Sequence, residues 1–568
     1  MKVNAFFLYF ALFLFCVQGD LCAEEGNVTK PLPISVPVEP NRIIYVMQSG
    51  QLQKALDLYR EYAKQTGKHD YDVLQELGLT LLEQGFRTND PEIQLITLYG
   101  VGIAVNERLL NLLLEGVKSK NPEFQLIALN FLSQYHSDQA DEALNKALNS
   151  NYLIIRLEGA YHLCKKKAPK AVAQTEALMS KVDVELLPVF PQLFALVGNA
   201  ESSKIMRRLL IHPDELVRIA TIISIAEHKR DDMLPQLRQL ISHHNSAQQE
   251  ACAYALGIFE DEKSINKLKT ISGRGTSYVR LAASHALLQL GDEQGKQTIE
   301  KLAREGDPFA ITLLGDMPGS ENILCDLIKH SDIQVRLNAS IALLSLHDKR
   351  ALDPICEFLI KDSRDLMITK ISSPGHALSA FKVIPSAQQN IVDNPALEAM
   401  SLGIREEMIK FALELPEDHY LALASFLFQL RQNDLVPTII DGLEVLGTPG
   451  AIALLKKHQQ QIGAPLIRNY CNLALYRMKE EGPYFKNLAA WIGEQKETLL
   501  FKSLLDYQQK EAISTFKLSP SQSSALLISA FEALAHDEKG IDVILNAIQY
   551  GNPKNRFALA GLLLQTTQ

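Results

Sequence analysis

The residues Gln94, Gln125, Arg156, Leu187, Arg218, Gln249, Arg280 and Ile311 stand 31 positions apart, and each opens the same pattern. Taking this position as zero, the residue before it is apolar at Ile93, Phe124, Ile155, Leu186, Val217, Val279 and Val335. The residue at plus seven is apolar from Val101 and Leu132 through Leu287 and Leu343. At 100° per residue these two positions share one side of a helix. Position plus three is small at Thr97, Ala128, Gly159, Thr221, Cys252, Ala283 and Ala339, which lets a second helix come close; Phe190 and Leu314 depart. Constant phase over so many units predicts an all-α fold, an α-solenoid of stacked helix pairs with about 31 residues per repeat.

Helix starts agree with this register. Asp90-Pro91, Asn121-Pro122, Asp307-Pro308 and Asn552-Pro553 pair an N-cap acceptor with a residue that has no N–H to leave unsatisfied. The chain is too long at 568 residues for one ordinary core. A solenoid removes that limit, because each unit buries its apolar faces against its neighbours only. A net charge of −9 argues against non-specific binding of nucleic acid, where a basic surface is expected.

Residues 1–23 read as a cleaved secretory signal: Lys2, an apolar run from Ala5 to Val17, then Leu21-Cys22-Ala23 before Glu24-Glu25. Thirteen apolar residues are too few to cross roughly 30 Å of hydrocarbon, and the expected mature chain has no membrane span. Pro31, Pro33, Pro37 and Pro40 make residues 24–40 an extended tether. The remaining cysteines, Cys164, Cys252, Cys325, Cys356 and Cys471, are odd in number and widely spaced, which fits free thiols better than a disulfide framework. The expected location is a periplasm or cell envelope. Residues 41–86 read as a helical N-terminal cap, in which Gly50, Ala55 and Tyr59 resemble a tetratricopeptide helix. Regular repeats fill 87–360. The period is lost over 361–395, where Ser372-Ser373-Pro374-Gly375 and Pro385 suggest an irregular hinge. Degenerate repeats and a C-terminal cap occupy 396–568, for about thirty helices in all.

The best-formed units, Asp214-Glu-Leu-Val-Arg218 and Asp332-Ile-Gln-Val-Arg336, each followed by a small residue and an Ala/Ser-plus-apolar pair, resemble the second helix of a HEAT repeat. The short unit is similar to the HEAT-like repeats of the phycobilisome-lyase type. The pattern returns at Ala464-Pro-Leu-Ile-Arg468 and at Asn552 to Leu563. The resemblance implies a structural ladder of Asp and Arg along the stack, formed by Asp214, Arg218, Arg280, Asp332 and Arg336. It also implies an alternative activity, that of a chromophore-lyase-type enzyme, whose cytoplasmic setting conflicts with the signal. Arg336 follows Ile311 by only 25 residues, so a helix there should be shortened.

No motif for catalysis emerges. Gly100-Val-Gly102 and Gly273-Arg-Gly275 have Val105 and Tyr278 where a nucleotide loop has its third glycine. His243-His244 precedes an N-cap Asn245 and reads as a polar turn. Catalytic residues, metal and cofactor are therefore not expected. The favoured function is an exported, non-catalytic scaffold binding a protein or peptide partner on its concave surface; a purely structural envelope component is the further alternative. Positions plus one (Leu95, Leu126, Leu157, Ile219, Leu281, Leu337) and plus five (Tyr99, Tyr161, Ile223, Tyr254, Ile341) are too apolar for an idle face. Either neighbouring helices cover this row, or Tyr99, Tyr161, Ile223, Tyr254 and Ile341 line a groove for an extended or helical peptide.

Overall fold

The computed structural model describes residues 37–360, 366–385, 395–430, 434–461, 463–504, 517–535 and 537–567. The expected signal, and the tether up to residue 36, lie outside the described residues. Among the described residues thirty α-helices run from Pro40–Gln48 to Arg556–Thr567, joined mostly by short turns. Among the described residues no helix is long and apolar enough to cross a membrane.

Local chemistry explains the repeat. Asp90 Oδ1 accepts from the N–H of Glu92 at 2.9 Å, and Pro91 opens the helix Pro91–Ala104. Asn121 and Asp307 do the same for Pro122–Leu132 and Pro308–Leu314. Asn552-Pro553 differs: Asn552 caps a turn at Lys554, and the helix begins only at Arg556. The small plus-three side chains Thr97, Ala128, Thr221, Cys252, Ala283 and Ala339 are all fully buried where helices meet. The unit at Leu187 loses register because Pro188 and Pro191 turn the chain through a 3-10 segment, Val184–Val189. Near Ile311 the helices Pro308–Leu314 and Glu321–Leu327 are only 7 residues each, the expected shortening.

The Asp/Arg ladder takes a different form from the one implied. Asp214 and Asp332 cap their own helices, accepting from Leu216 and Gln334 N–H at 2.8 Å. The zero-position side chain instead reaches back to the turn before its helix. Arg218 Nη1 donates to His212 O at 2.6 Å, Arg336 Nη1 to His330 O at 3.1 Å, and Gln94 Nε2 to Thr88 O at 2.7 Å. Each of these acceptors lies six residues upstream, so Arg and Gln serve alike as clamps on a carbonyl of the preceding turn. Coupling to the next unit goes through Arg218 to Gln248 and Arg336 to Glu357. Arg280 Nε is buried with no partner.

Second helices meet the next second helix along nearly the whole chain, while first helices meet their successors more sparsely. The array therefore curves toward its second helices, which form an inner rim. The curvature carries the chain back to its start. The last helix, Arg556–Thr567, packs extensively against Tyr71–Phe86 and Pro91–Ala104, closing the solenoid into a ring. Neither end is a cap. A Cβ on Gly561 would collide with the main chain of Gly100, and one on Gly85 with the Phe557 ring, so glycine sets the closeness of this crossing. Polar contacts flank it: Gln53 and Gln549 exchange side-chain to main-chain bonds at 2.7 and 3.3 Å, Gln75 Nε2 donates to Thr567 O at 3.1 Å, and Lys554 pairs with Glu92 and Asp90.

The expected hinge is instead a hairpin. β1 (Leu366–Ser372) and β2 (Ser379–Pro385) pair antiparallel, with Ile368 opposite Val383 and Ile371 opposite Ala380. The helical period vanishes there because two β-branched runs flank a Ser-Pro-Gly turn. A second, shorter hairpin pairs β3 (Phe501–Leu504) with β4 (Lys517–Pro520) between the helices Tyr484–Glu494 and Gln522–Ala535.

Candidate functional site: the inner rim

The first hairpin lies on the inner rim, and side chains of the inner helices hold it by its main chain. On the helix Ile333–Ser345, Asn338 donates to Phe381 O and accepts from Phe381 N–H, both at 2.8 Å. Gln334 accepts from Val383 N–H at 3.0 Å and also donates to Phe381 O. At the tip, the buried carboxylate of Glu250, on the helix Ser246–Ile258, accepts from Ser373 Oγ and from the N–H of Gly375 at 3.0 Å and Ala377 at 3.4 Å. A Cβ on Gly375 would strike Ala247 O and the Glu250 side chain, so only glycine turns there. Burial pushes the Glu250 carboxyl above its ordinary range, against the pull of these donors. Ile368, Leu378, Ala380 and Val383 are buried beneath the strands, and Ile368 N–H donates to Ser401 Oγ at 3.0 Å.

The anchor was visible in the sequence as a break. Glu250 occupies plus one, where Leu95, Leu126, Leu157, Ile219, Leu281 and Leu337 stand in other units, and the hairpin docks on that departure. Asn338 is fully buried. Neither residue is among the side chains expected to bind a partner.

That row divides. The plus-one leucines are buried, with Leu126, Leu157, Ile219, Leu281 and Leu337 inside the stack and Leu95 half-buried. At plus five, Ile341 is buried, whereas Tyr99, Tyr161, Ile223 and Tyr254 are half-buried. Tyr99 lies against Phe501 of β3, ring centroids 4.5 Å apart, and burial pushes its hydroxyl up to about 12. Tyr254 sits one helical turn beyond Glu250, its hydroxyl also raised by burial and by Glu227. Tyr161 carries the Lys165 ammonium 5.8 Å from its ring centroid. Tyr161 and Ile223 are left on helices, Leu153–Lys165 and Glu215–Glu227, that make no extensive contact with either hairpin.

Carboxylates add to the far side of the rim. Glu406, Asp441 and Glu444 all have pKa values raised by burial, and Arg477 lies 3.8 Å from Glu444. Cys164 and Cys471 thiols are pushed up to about 11 and 12 by burial, which makes them inert at neutral pH. His243 Nδ1 accepts from Asn245 N–H at 3.2 Å, the polar turn expected there. Among the described residues no group of three or more His, Cys, Asp or Glu side chains is placed to hold a metal ion.

A family model for HEAT repeats matches residues 203–287. The helix pairs of that stretch are HEAT repeats. None of the curated proteins compared matches the chain by sequence. Among solved structures, the karyopherin Kap121p bound to the extreme C-terminus of the protein phosphatase Cdc14p is 12% identical, with 90% of this chain and 63% of that chain covered and a TM-score of 0.31. This HEAT-repeat chain thus spans less than two thirds of that karyopherin. Importin beta is also 12% identical, with 93% and 86% covered and a TM-score of 0.31. The UNC-45 chaperone is 11% identical, with 90% and 59% covered and a TM-score of 0.20.

Proposed function

We propose that this HEAT-repeat protein is an exported scaffold, without chemistry of its own, that holds an extended segment of a protein partner against its inner rim. One observation carries the reading: Gln334 and Asn338 already grip a strand of this chain by its main-chain N–H and C=O groups. Side-chain amides that satisfy a strand's backbone supply affinity without reading sequence, and flanking apolar rings supply selectivity. Tyr161 and Ile223 are the rim residues offered to a partner, since Tyr99 is engaged by Phe501.

The test is site-specific photo-crosslinking of the exported chain in its own envelope. A benzophenone side chain at Tyr161 is expected to give a discrete adduct, and one at the exposed outer residue Thr270 none. Adducts from Thr270 alone would place the binding face elsewhere. N-terminal sequencing should find the exported chain beginning near Glu24; intact Met1 on the exported protein would refute the processing.

A further inference from the structure

Arg156, Arg218 and Arg336 each clamp their own turn with one edge, and the other edge meets different company from unit to unit. At Arg336 it meets a carboxylate: Nη2 donates to Glu357 Oε1 at 2.8 Å and Nε to Oε2 at 3.4 Å. At Arg218 it meets an amide oxygen, Gln248 Oε1, 3.1 Å from Nε. At Arg156, Nη1 holds Ser150 O at 2.9 Å, but Nε is buried and no side chain of the next unit meets it. The group opens on a cleft of about 390 Å³ between the outer helices Asp138–Ala147 and Ala171–Met179, which Asn145, Leu148, Gln174, Leu178 and Lys181 also line.

Two more residues of the same lining carry a buried oxygen without a hydrogen-bond partner, Asn145 Oδ1 and Gln174 Oε1. The charge is of one sign. Arg156 and Lys181 are cations, and no carboxylate is in the lining. Asp141 and Glu176 on the flanking helices are engaged by Lys166 and Arg208. An adjoining cleft of about 670 Å³ shares Asn149 and Ser150 and adds Lys118, Lys120, the exposed ring of Tyr152 and the carboxylate of Glu142, which is paired with Lys146. This is a local concentration of positive charge on a chain of net charge −9.

We propose that this cleft binds a carboxylate side chain of an acidic peptide segment in a protein partner. Arg156 Nε and Lys181 take the carboxylate, as Glu357 is taken at Arg336. Asn145 Oδ1 and Gln174 Oε1 accept main-chain N–H groups of the segment, donors that a bare inorganic anion lacks. Leu148 and Leu178 receive an apolar neighbour. Guanidinium–carboxylate pairing of this kind is directional and short-ranged, so it selects a seated carboxylate over a diffuse negative charge. The cleft lies between two outer helices and the first turn of the inner helix Leu153–Lys165.

The experiment is calorimetric titration of the full chain with a capped heptapeptide of Ala, Leu and Glu, with its Gln-for-Glu twin, and with inorganic phosphate. The Glu peptide is expected to bind at least about tenfold more tightly than its twin. Arg156→Gln is the informative variant, because Gln at Gln94 and Gln125 already clamps the turn carbonyl. It should lose about tenfold in affinity for the Glu peptide while its melting temperature holds. Lys181→Gln should weaken binding in the same direction. Equal binding of the two peptides, no binding of the Glu peptide, or unchanged affinity in Arg156→Gln would overturn the proposal. Phosphate binding as tightly as the Glu peptide would reduce the cleft to a general anion site and overturn it too.

Discussion

The joint between the helices Ser246–Ile258 and Ser277–Gln289 and the joint that closes the ring use the same material, small residues where helices cross, under different constraints. At the first, Cys252 and Ala283 are fully buried and Gly257 faces Ala286, and the chain that links the two helices keeps them together. At the second, Gly561 faces Gly100 across a separation of most of the chain. Closing so long a loop costs entropy that the contact itself must offset. A misfit tolerated as local strain in the first joint should therefore detach the second altogether.

The largest expected effect comes from Gly561→Leu. The backbone of Gly100 cannot yield to a side chain, so overpacking should cost the upper part of roughly 1 to 3 kcal/mol or more. Small-angle scattering should show the ring opening, with an increased radius of gyration; an unchanged radius and melting temperature would mean that the ends are not joined in solution. Ala283→Leu should cost roughly 1 to 3 kcal/mol, but with the radius preserved and faster hydrogen exchange confined to about residues 250–350. Global opening from this substitution would erase the contrast between the joints.

Glu250→Gln sharpens it from a third direction, since the hairpin is joined to the rim by polar contacts. Gly375 donates to one carboxylate oxygen and Ala377 to the other, so the amide of Gln can accept from only one of them, and the donor left unsatisfied costs about 1 to 3 kcal/mol. Exchange should accelerate at residues 373–383 while the seam stays protected. The smallest effects are titrations. Two hydrogen bonds from Arg238 and one from Ser264 hold the Asp261 carboxyl below its ordinary 3.8, so its contribution is present above that pH and lost as pH falls through the lower folded value. Lys554 at the seam has its pKa raised above 10.5 by Glu92, so its contribution is full below that and lost as pH rises through the folded value. Acid should loosen the regular array first and alkali the seam; proteolysis at the two extremes will tell them apart.

What the sequence disclosed follows the same division. Helices, caps and the buried plus-three row were legible because they recur at a fixed spacing, and local periodicity needs no knowledge of distant residues. The β1–β2 hairpin was less so, although Ile368, Thr369 and Ile371 before a Ser-Pro-Gly turn and Val383 and Ile384 after it carry a strand signal. Glu250 stood out only as a polar residue in an apolar row. The role of Arg218 and Arg336 was read across from a resemblance, and the turn carbonyls they hold could have been inferred from Gln filling the same position in other units. Ring closure left no local trace, for Gly78, Gly85, Gly100 and Gly561 share no spacing that links the two termini.

That closure changes how the molecule can come apart. A linear stack has two terminal units, each held by a single neighbour, and these fray first because one broken interface frees them. A circuit has no such unit. Any repeat must break two interfaces before it moves, and the first break anywhere converts the ring to a line with two vulnerable ends. Opening should thus be a threshold event, rare until the weakest joint fails and progressive afterward, so that the stability of the seam sets the lifetime of every other repeat.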